Sequence, residues 1–243
     1  MSQLDRAILE RTLAAKALLR RARFGVLSTH SQKQPHFPYG SVLPCAVTVA
    51  CQPILCISTL AAHSQNIQID PQVAFTVADP NSVPETLAGG RFCYMGVAEL
   101  VAEADRVAVR QRFLSLVPSA QLYVDFGDFQ FYTLRFERGH YIGGFGGGAW
   151  LEPDGFATAD PVADWAIAHL SDLNRECGPA LQAFASARGE PETLLASLDQ
   201  QGFDVQLGER VLRLEFPSPL SELKLETLIP PMLECLTQVA NQA

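Results

Sequence analysis

SVLPCAVTVACQPILCISTLAAHSQNIQIDPQVAFTVA, residues 41–78, contains three apolar, β-branched runs. Between the second and third lies a polar segment longer than a two-residue turn requires. The runs 41–50, 53–59 and 73–78 have strand lengths, with ACQP as a turn between the first two. AAHSQNI reads as a short helix whose start Ser58 or Thr59 can cap, with His63 on its wet face. The same donors could instead form a polar wall for a cofactor. Working outward, FGVLST (24–29) and RFCYMGVAELV (91–101) add strands. FQFYTLRFERGHYIGGF (129–145) adds another, with a turn at Arg138-Gly139 and a short returning strand. SQKQPHFPYG (31–40) is a loop, because Pro35 and Pro38 cannot serve an interior strand. Helical periodicity is confined to 3–21 and 102–117, where Val107, Phe113, Leu114 and Val117 face inward. With so few helices among six or seven strands, antiparallel pairing into a small barrel is the economical solution. Parallel βαβ units would need a helix after nearly every strand.

GGGAWLEPDGFATADP (146–161) marks a boundary. The expected organisation is a mainly β barrel domain with its N-terminal helix over 1–152, and a small α-β-β-α domain of α+β type over 160–243. In the second, a helix begins near 161 and is interrupted at Gly178-Pro179. FDVQL and RVLRLEF form a hairpin around Gly208-Glu209, and a last helix must bend or restart at Pro230-Pro231.

The chain has 243 residues, 48% of them hydrophobic, enough for a substantial core. No run of about 18 uncharged apolar residues occurs, and the N-terminus lacks a signal-peptide core, so the expected location is the cytoplasm and no membrane is implied. Six cysteines without a CxxC read as reduced, buried thiols. Residues 1–155 carry 13 basic and 13 acidic side chains, and 156–243 carry 5 and 13. The acidic last third disfavours nucleic acid as a partner. A small anion near Arg20, Arg21 and Arg23 is compatible with this balance.

Four constellations can carry chemistry. Ser58, Thr59, His63, Ser64 and Asn66 offer convergent donors for an anion. Arg23, at a helix-to-strand junction, can reach a phosphate bidentately. In GHYIGGFGGGAW (139–150) glycines permit close approach, and Trp150 with Tyr141 or Phe145 can flank a planar ring. Asp125 and Asp128 can hold arginines in place, but are too few for a metal site. Neither P-loop, HExxH nor GxSxG is present, so any chemistry belongs to a bound cofactor; no catalytic residue or metal ligand follows from the residues themselves.

ARFGVLST (22–29), PYGSVLP (38–44), CISTLAAHSQNIQIDP (56–71), YVDFGDFQFYTL (123–134) and YIGGFGGGAWL (141–151) together resemble the pyridoxamine 5'-phosphate oxidase-like, FMN-binding split-barrel superfamily, in the branch of haem-utilisation proteins. LNRECGPALQAF and QQGFDVQLGERVLRLEF are similar to the small C-terminal domain of that branch. The resemblance implies a homodimer with a small planar anionic cofactor, FMN or alternatively haem, at the subunit interface, and an oxidoreductase. The phosphate region falls on Ser58, Thr59, His63, Ser64 and Asn66, with Arg23 nearby. Two departures stand out. The lysine that flavin-binding members present to phosphate is missing, and Cys177 stands where relatives carry a histidine. Haem-degrading relatives use an axial histidine near the chain end, whereas none follows His169 here. The rival readings are a haem-binding or storage module, with His63 or His140 on iron, and a structural dimer with a degenerate flavin pocket.

Overall fold

In the computed structural model, which describes residues 3–80, 89–144, 147–156, 159–220 and 222–240, the elements fall into two units. One comprises Met1–Phe113 and Ala120–Thr158, the other Leu114–Ser119 and Ala159–Ala243.

The first unit opens with α1 (Gln3–Arg21), β1 (Phe24–His30), β2 (Pro38–Pro44), β3 (Ala46–Val47) and β4 (Pro53–Ser58). It continues with α2 (Ala62–Ile69), β5 (Gln72–Ala78), β6 (Arg91–Leu100), α3 (Arg106–Leu116, whose residues from Leu114 onward fall in the other unit), β7 (Phe129–Ile142), β8 (Gly148–Leu151) and α4 (Pro153–Phe156). Its strands form an eight-stranded antiparallel sheet in the order β2-β1-β5-β6-β7-β4-β3, with β8 also on β7. The sheet curls until β2 lies beside β4, yet no ladder joins them, and this gap splits the barrel.

Period-two alternation fills the interior with Leu27, Phe75, Phe92, Tyr94 and Leu134, all fully buried. Ala15, Leu18 and Leu19 of α1 join this core. Phe156 of α4 enters it as a plug, stacked on Phe136 at 4.1 Å and on Phe92 at 5.6 Å. Two glycines make room for the rings. A Cβ at Gly25 would lie 2.3 Å from the Phe75 ring, and one at Gly139 2.4 Å from Phe92.

Gly139 therefore belongs to a continuous strand. β7 runs unbroken through the expected Arg138-Gly139 turn, and β8 is the returning strand. The glycine that suggested a bend is needed for ring packing. Pro38 does start β2, but on the sheet edge, where a missing N–H costs nothing. Val107 is 67% exposed although Phe113 and Val117 are buried, so the inward stripe of α3 is narrower than expected.

The second unit contains α5 (Pro161–Ser186), β9 (Thr193–Asp199), β10 (Gly202–Leu207), β11 (Arg210–Glu215) and α6 (Leu225–Ala240). The sheet order is β11-β10-β9, one strand more than the expected hairpin. TLLASLD of β9 does not alternate, since its last five residues are all buried, and this hid it. Asp160 caps α5 by accepting from Ala163 N at 3.0 Å, with Pro161 opening the helix. The expected interruption at Gly178-Pro179 does not occur: α5 is continuous through Pro179, and α6 through Pro230 and Pro231. Leu173, Cys177, Leu181 and Phe184 keep one apolar stripe of α5 in the core, offsetting the hydrogen bond that Pro179 cannot donate.

That core also encloses a charge network. Arg213 Nη1 lies 2.6 Å from Asp199 and 3.2 Å from Asp204, with all three side chains at most 3% exposed. Ser197 donates to Asp204 as well. Burial pulls the Arg213 guanidinium down, but the two carboxylates outweigh it and hold it above its ordinary value. Arg213→Met leaves both acids buried without their cation, so a loss of about 3–5 kcal/mol is expected in urea unfolding. An Arg213→Met/Asp199→Leu/Asp204→Leu triple variant should recover most of that loss.

Candidate functional site

The polar segment after β4 is largely saturated by its own protein. Ser58 Oγ donates to Asp128 Oδ2 at 2.5 Å and accepts from Leu60 N at 3.1 Å. Thr59 N donates to the Asp128 carbonyl. Neither residue caps α2: the cap position is Ala61, and no side chain bonds there. His63 is half-buried, its Nδ1 3.1 Å from Ser41 Oγ on β2, and desolvation lowers its pKa, favouring the neutral ring. Asn66 is buried. Its Nδ2 donates to Thr29 Oγ1 at 2.8 Å and its Oδ1 accepts from Gln32 N at 3.0 Å, tying α2 to the end of β1. Ser64 is buried beside it, and its Oγ has no hydrogen-bond partner among the described residues.

The structure does not bring Arg23 beside Asn66 within one chain. β1 pairs with β2 and β5, not β4, and Thr29 lies six residues along the strand from Arg23, about 20 Å at strand rise. Arg23 Nη1 donates to Arg20 O at 2.6 Å, and Arg21 lies 3.6 Å from Asp79, so this basic cluster has internal partners. Asp125 forms a bidentate pair with Arg110, as the sequence suggested, while Asp128 binds Ser58.

Trp150 sits on the outer face of the sheet, 51% exposed. It stacks on His140 at 4.6 Å, and the Arg138 guanidinium lies 4.7 Å from its ring centroid. Phe145, its expected companion, lies outside the described residues. The register extends this cluster into a row: Val42, Val26, Thr76, Cys93, His140 and Trp150 face one another across successive strands. Two residues along, Ser28, Ala74, Met95 and Arg138 form a second row, spanning three strand spacings or about 14 Å.

An open groove of about 590 Å³ lies over the second row. Ala74, Met95 and Val97 contribute its apolar floor, Arg138 one wall, and Thr29, His30 and Gln72 the other. His30 Nδ1 lies 2.6 Å from Asp70 Oδ2, and Asp70 Oδ1 accepts from Gln72 N at 3.0 Å. The hydrogen bond from His30 is the main cause that lowers the Asp70 carboxyl below its ordinary range. None of the seven residues chosen from sequence lines the groove. Asn66 positions Thr29, which does, and Trp150 carries Arg138, which does. The signal missed was register: His30 and Asp70 are 40 residues apart, and only the β1–β5 pairing brings their strand ends together.

The cysteines are free. Burial pushes the Cys45 and Cys56 thiols up to about 12, and also raises Cys177, which lies in the second unit's core, where a thiolate ligand is disfavoured. No cluster of three metal-ligating side chains exists among the described residues. None of the described helices is long and apolar enough to cross a membrane.

A family model for the CREG β-barrel matches residues 7–158. The chloroplastic non-canonical heme oxygenase HOZ of Arabidopsis thaliana is 32% identical over 224 residues, 86% of this chain and 68% of that protein. Among solved structures, a heme binding protein from Mycobacterium smegmatis aligns with a TM-score of 0.58 at 25% identity, covering 97% of this chain and 98% of its own. The protein Atu2129 from Agrobacterium tumefaciens, at 21% identity and a TM-score of 0.70 over 94% of each chain, shares the fold.

Asn66→Ala should lower unfolding stability by about 1–3 kcal/mol, because it leaves Gln32 N without its acceptor and Thr29 Oγ1 without its donor. Chemical denaturation of the two proteins measures this directly.

Proposed function

The chain belongs to the CREG β-barrel family, and on that basis we propose that it binds haem against the outer face of its barrel sheet and takes part in haem oxidation. Two of its relatives are described by the heme they bind or oxidise, and the oxygenase spans most of this chain. The observation that carries the reading is the groove. Its apolar floor, Ala74, Met95 and Val97, lies on the two adjacent strands β5 and β6, with the Arg138 guanidinium at one side, the His30 imidazole at the other and Glu137 also in the lining.

FMN makes different demands, and the chain meets them poorly. A phosphate dianion needs several uncommitted donors and preferably a cation. Ser58 already holds the Asp128 carboxylate at 2.5 Å, an acid that repels phosphate, and the 58–66 segment contains neither Lys nor Arg. Haem requires apolar contact for the macrocycle, a cation for its carboxylates and a ligand for iron. Ala74, Met95 and Val97 supply the first and Arg138 the second. Arg138 is exposed, with one nitrogen 2.9 Å from Glu152, so its other donors can reach a propionate. When bound, haem supplies the iron that passes electrons from an external reductant to dioxygen. The protein's part would be to give the macrocycle apolar contact through Ala74, Met95 and Val97, to pair its carboxylates through Arg138 and to exclude water.

Water exclusion needs a cover. Phe24, Val26 and Val42 are 62%, 39% and 72% exposed on the same face, an apolar area suited to a second copy of the chain. A homodimer in which each copy roofs the other's groove fits this surface.

Titrating haemin into the protein should give a saturable Soret shift at one haem per chain. Arg138→Glu should weaken the affinity about tenfold, roughly 1.4 kcal/mol. Absence of a saturable shift, or FMN retained through purification, overturns the reading. Val42→Lys should convert a dimer into a monomer in light scattering, with weaker haemin binding. A wild-type chain that is already monomeric with haemin bound would remove the dimer from the account.

A further inference from the structure

Where the glycine-rich segment after β7 meets α1, we infer a second binding site, for the phosphate group of a small molecule. An open pocket of about 370 Å³ lies there, lined by Glu10 and Arg11 of α1 and by Tyr141, Gly143, Gly144 and Gly147. It shares no residue with the groove, so the inference is independent of the haem reading. Arg11 reaches across to the glycines, its Nη2 4.0 Å from where a Cβ on Gly147 would stand. Its guanidinium has no partner among the described residues, whereas Arg23 and Arg21 are engaged by Arg20 O and Asp79. The Tyr141 hydroxyl is likewise unpartnered among the described residues, and a Cβ on Gly143 would lie 3.1 Å from it. Burial holds this phenol above its ordinary pKa, so it stays protonated and can donate.

The backbone adds to this set. Gly143, Gly144 and Gly147 lie beyond both ladders of β7, whose last pairs are Arg91–Ile142 and Ile142–Gly148, and the described residues give their amides no partner. Gly144 has φ of 126°, which a residue with a Cβ rarely adopts, and without side chains these glycines let a ligand approach the main chain closely. A phosphate taken from water needs a cation and several convergent donors. The fork of N–H groups on Arg11, the Tyr141 hydroxyl and the glycine amides exceed what a carboxylate's pair of oxygens can engage, and they suit the larger oxygen set of a phosphate monoester. Glu10 is the one acid in the lining, and Arg6, 3.4 Å away, offsets its charge. The 58–66 segment, by contrast, contains no cation.

The test is calorimetric titration of the full chain with inorganic phosphate and, separately, with acetate, both at low ionic strength. Phosphate should bind saturably, and acetate about tenfold more weakly. Arg11→Ala should weaken phosphate binding about tenfold and Tyr141→Phe a few-fold. Glu10→Gln should strengthen it a few-fold, because the one negative charge in the lining is gone. Arg11 and Glu10 are both exposed, so their variants should keep the wild-type unfolding midpoint, and the change in affinity then reports on the site. The assignment is overturned if wild type shows no saturable phosphate binding, if Arg11→Ala binds phosphate as tightly as wild type does, or if acetate binds as tightly as phosphate. Failure of haemin to bind would leave it standing.

Discussion

The barrel depends on closing a strongly curled sheet around aromatic rings that need more room than neighbouring strands ordinarily leave. Phe156 stacks against Phe136 and Phe92 and meets Tyr94 edge-on, so a residue from a short helix after the last strand completes the interior of strands made earlier in the chain. The cost of accommodating the rings appears in the backbone. Gly25 and Gly139 carry no Cβ because Phe75 and Phe92 occupy that space. At Gly96 the carbonyl of Arg135 does the same, where β6 shifts register against β7. With the inner face satisfied in this way, the alternate residues of the same strands present Val26, Ala74, Met95 and Val97 outward. That outer face carries polar residues as well, and where β4 pairs with β7 it is covered within the chain, Phe113 of α3 meeting Phe131 edge-on at 5.6 Å.

This arrangement explains the polar segment between β4 and β5. Its side chains mostly serve as fasteners. Ser58 joins the segment to Asp128 ahead of β7, and Asn66 joins α2 to Thr29 and Gln32 at the end of β1. By fixing the far end of β1, the segment helps position one wall of the groove. Its contribution to a ligand would be indirect, through the strand that carries His30.

Much of the architecture was legible because period two and period 3.6 are strong signals in long segments. The strands of the barrel, its antiparallel character and the helix–hairpin–helix frame of the second unit all follow from them. What was missed has particular causes. Gly139 has a turn former's identity but serves ring packing. Pro179, Pro230 and Pro231 have breakers' identities but lie in helices held by tertiary burial. β9 lacks alternation because both of its faces are covered over most of its length. The groove was illegible for a deeper reason. Its walls come from β1 and β7, which are not neighbours, and its imidazole and carboxylate meet through a register that no local pattern encodes.

The buried thiols have a consequence for any oxygen chemistry performed by the chain. A cysteine oxidises as its thiolate, and with Cys45 and Cys56 at about 12 the thiolate fraction at neutral pH is only about one in 10⁵. Peroxide escaping from a reaction on the outer sheet face would find these two sulfurs chemically silent.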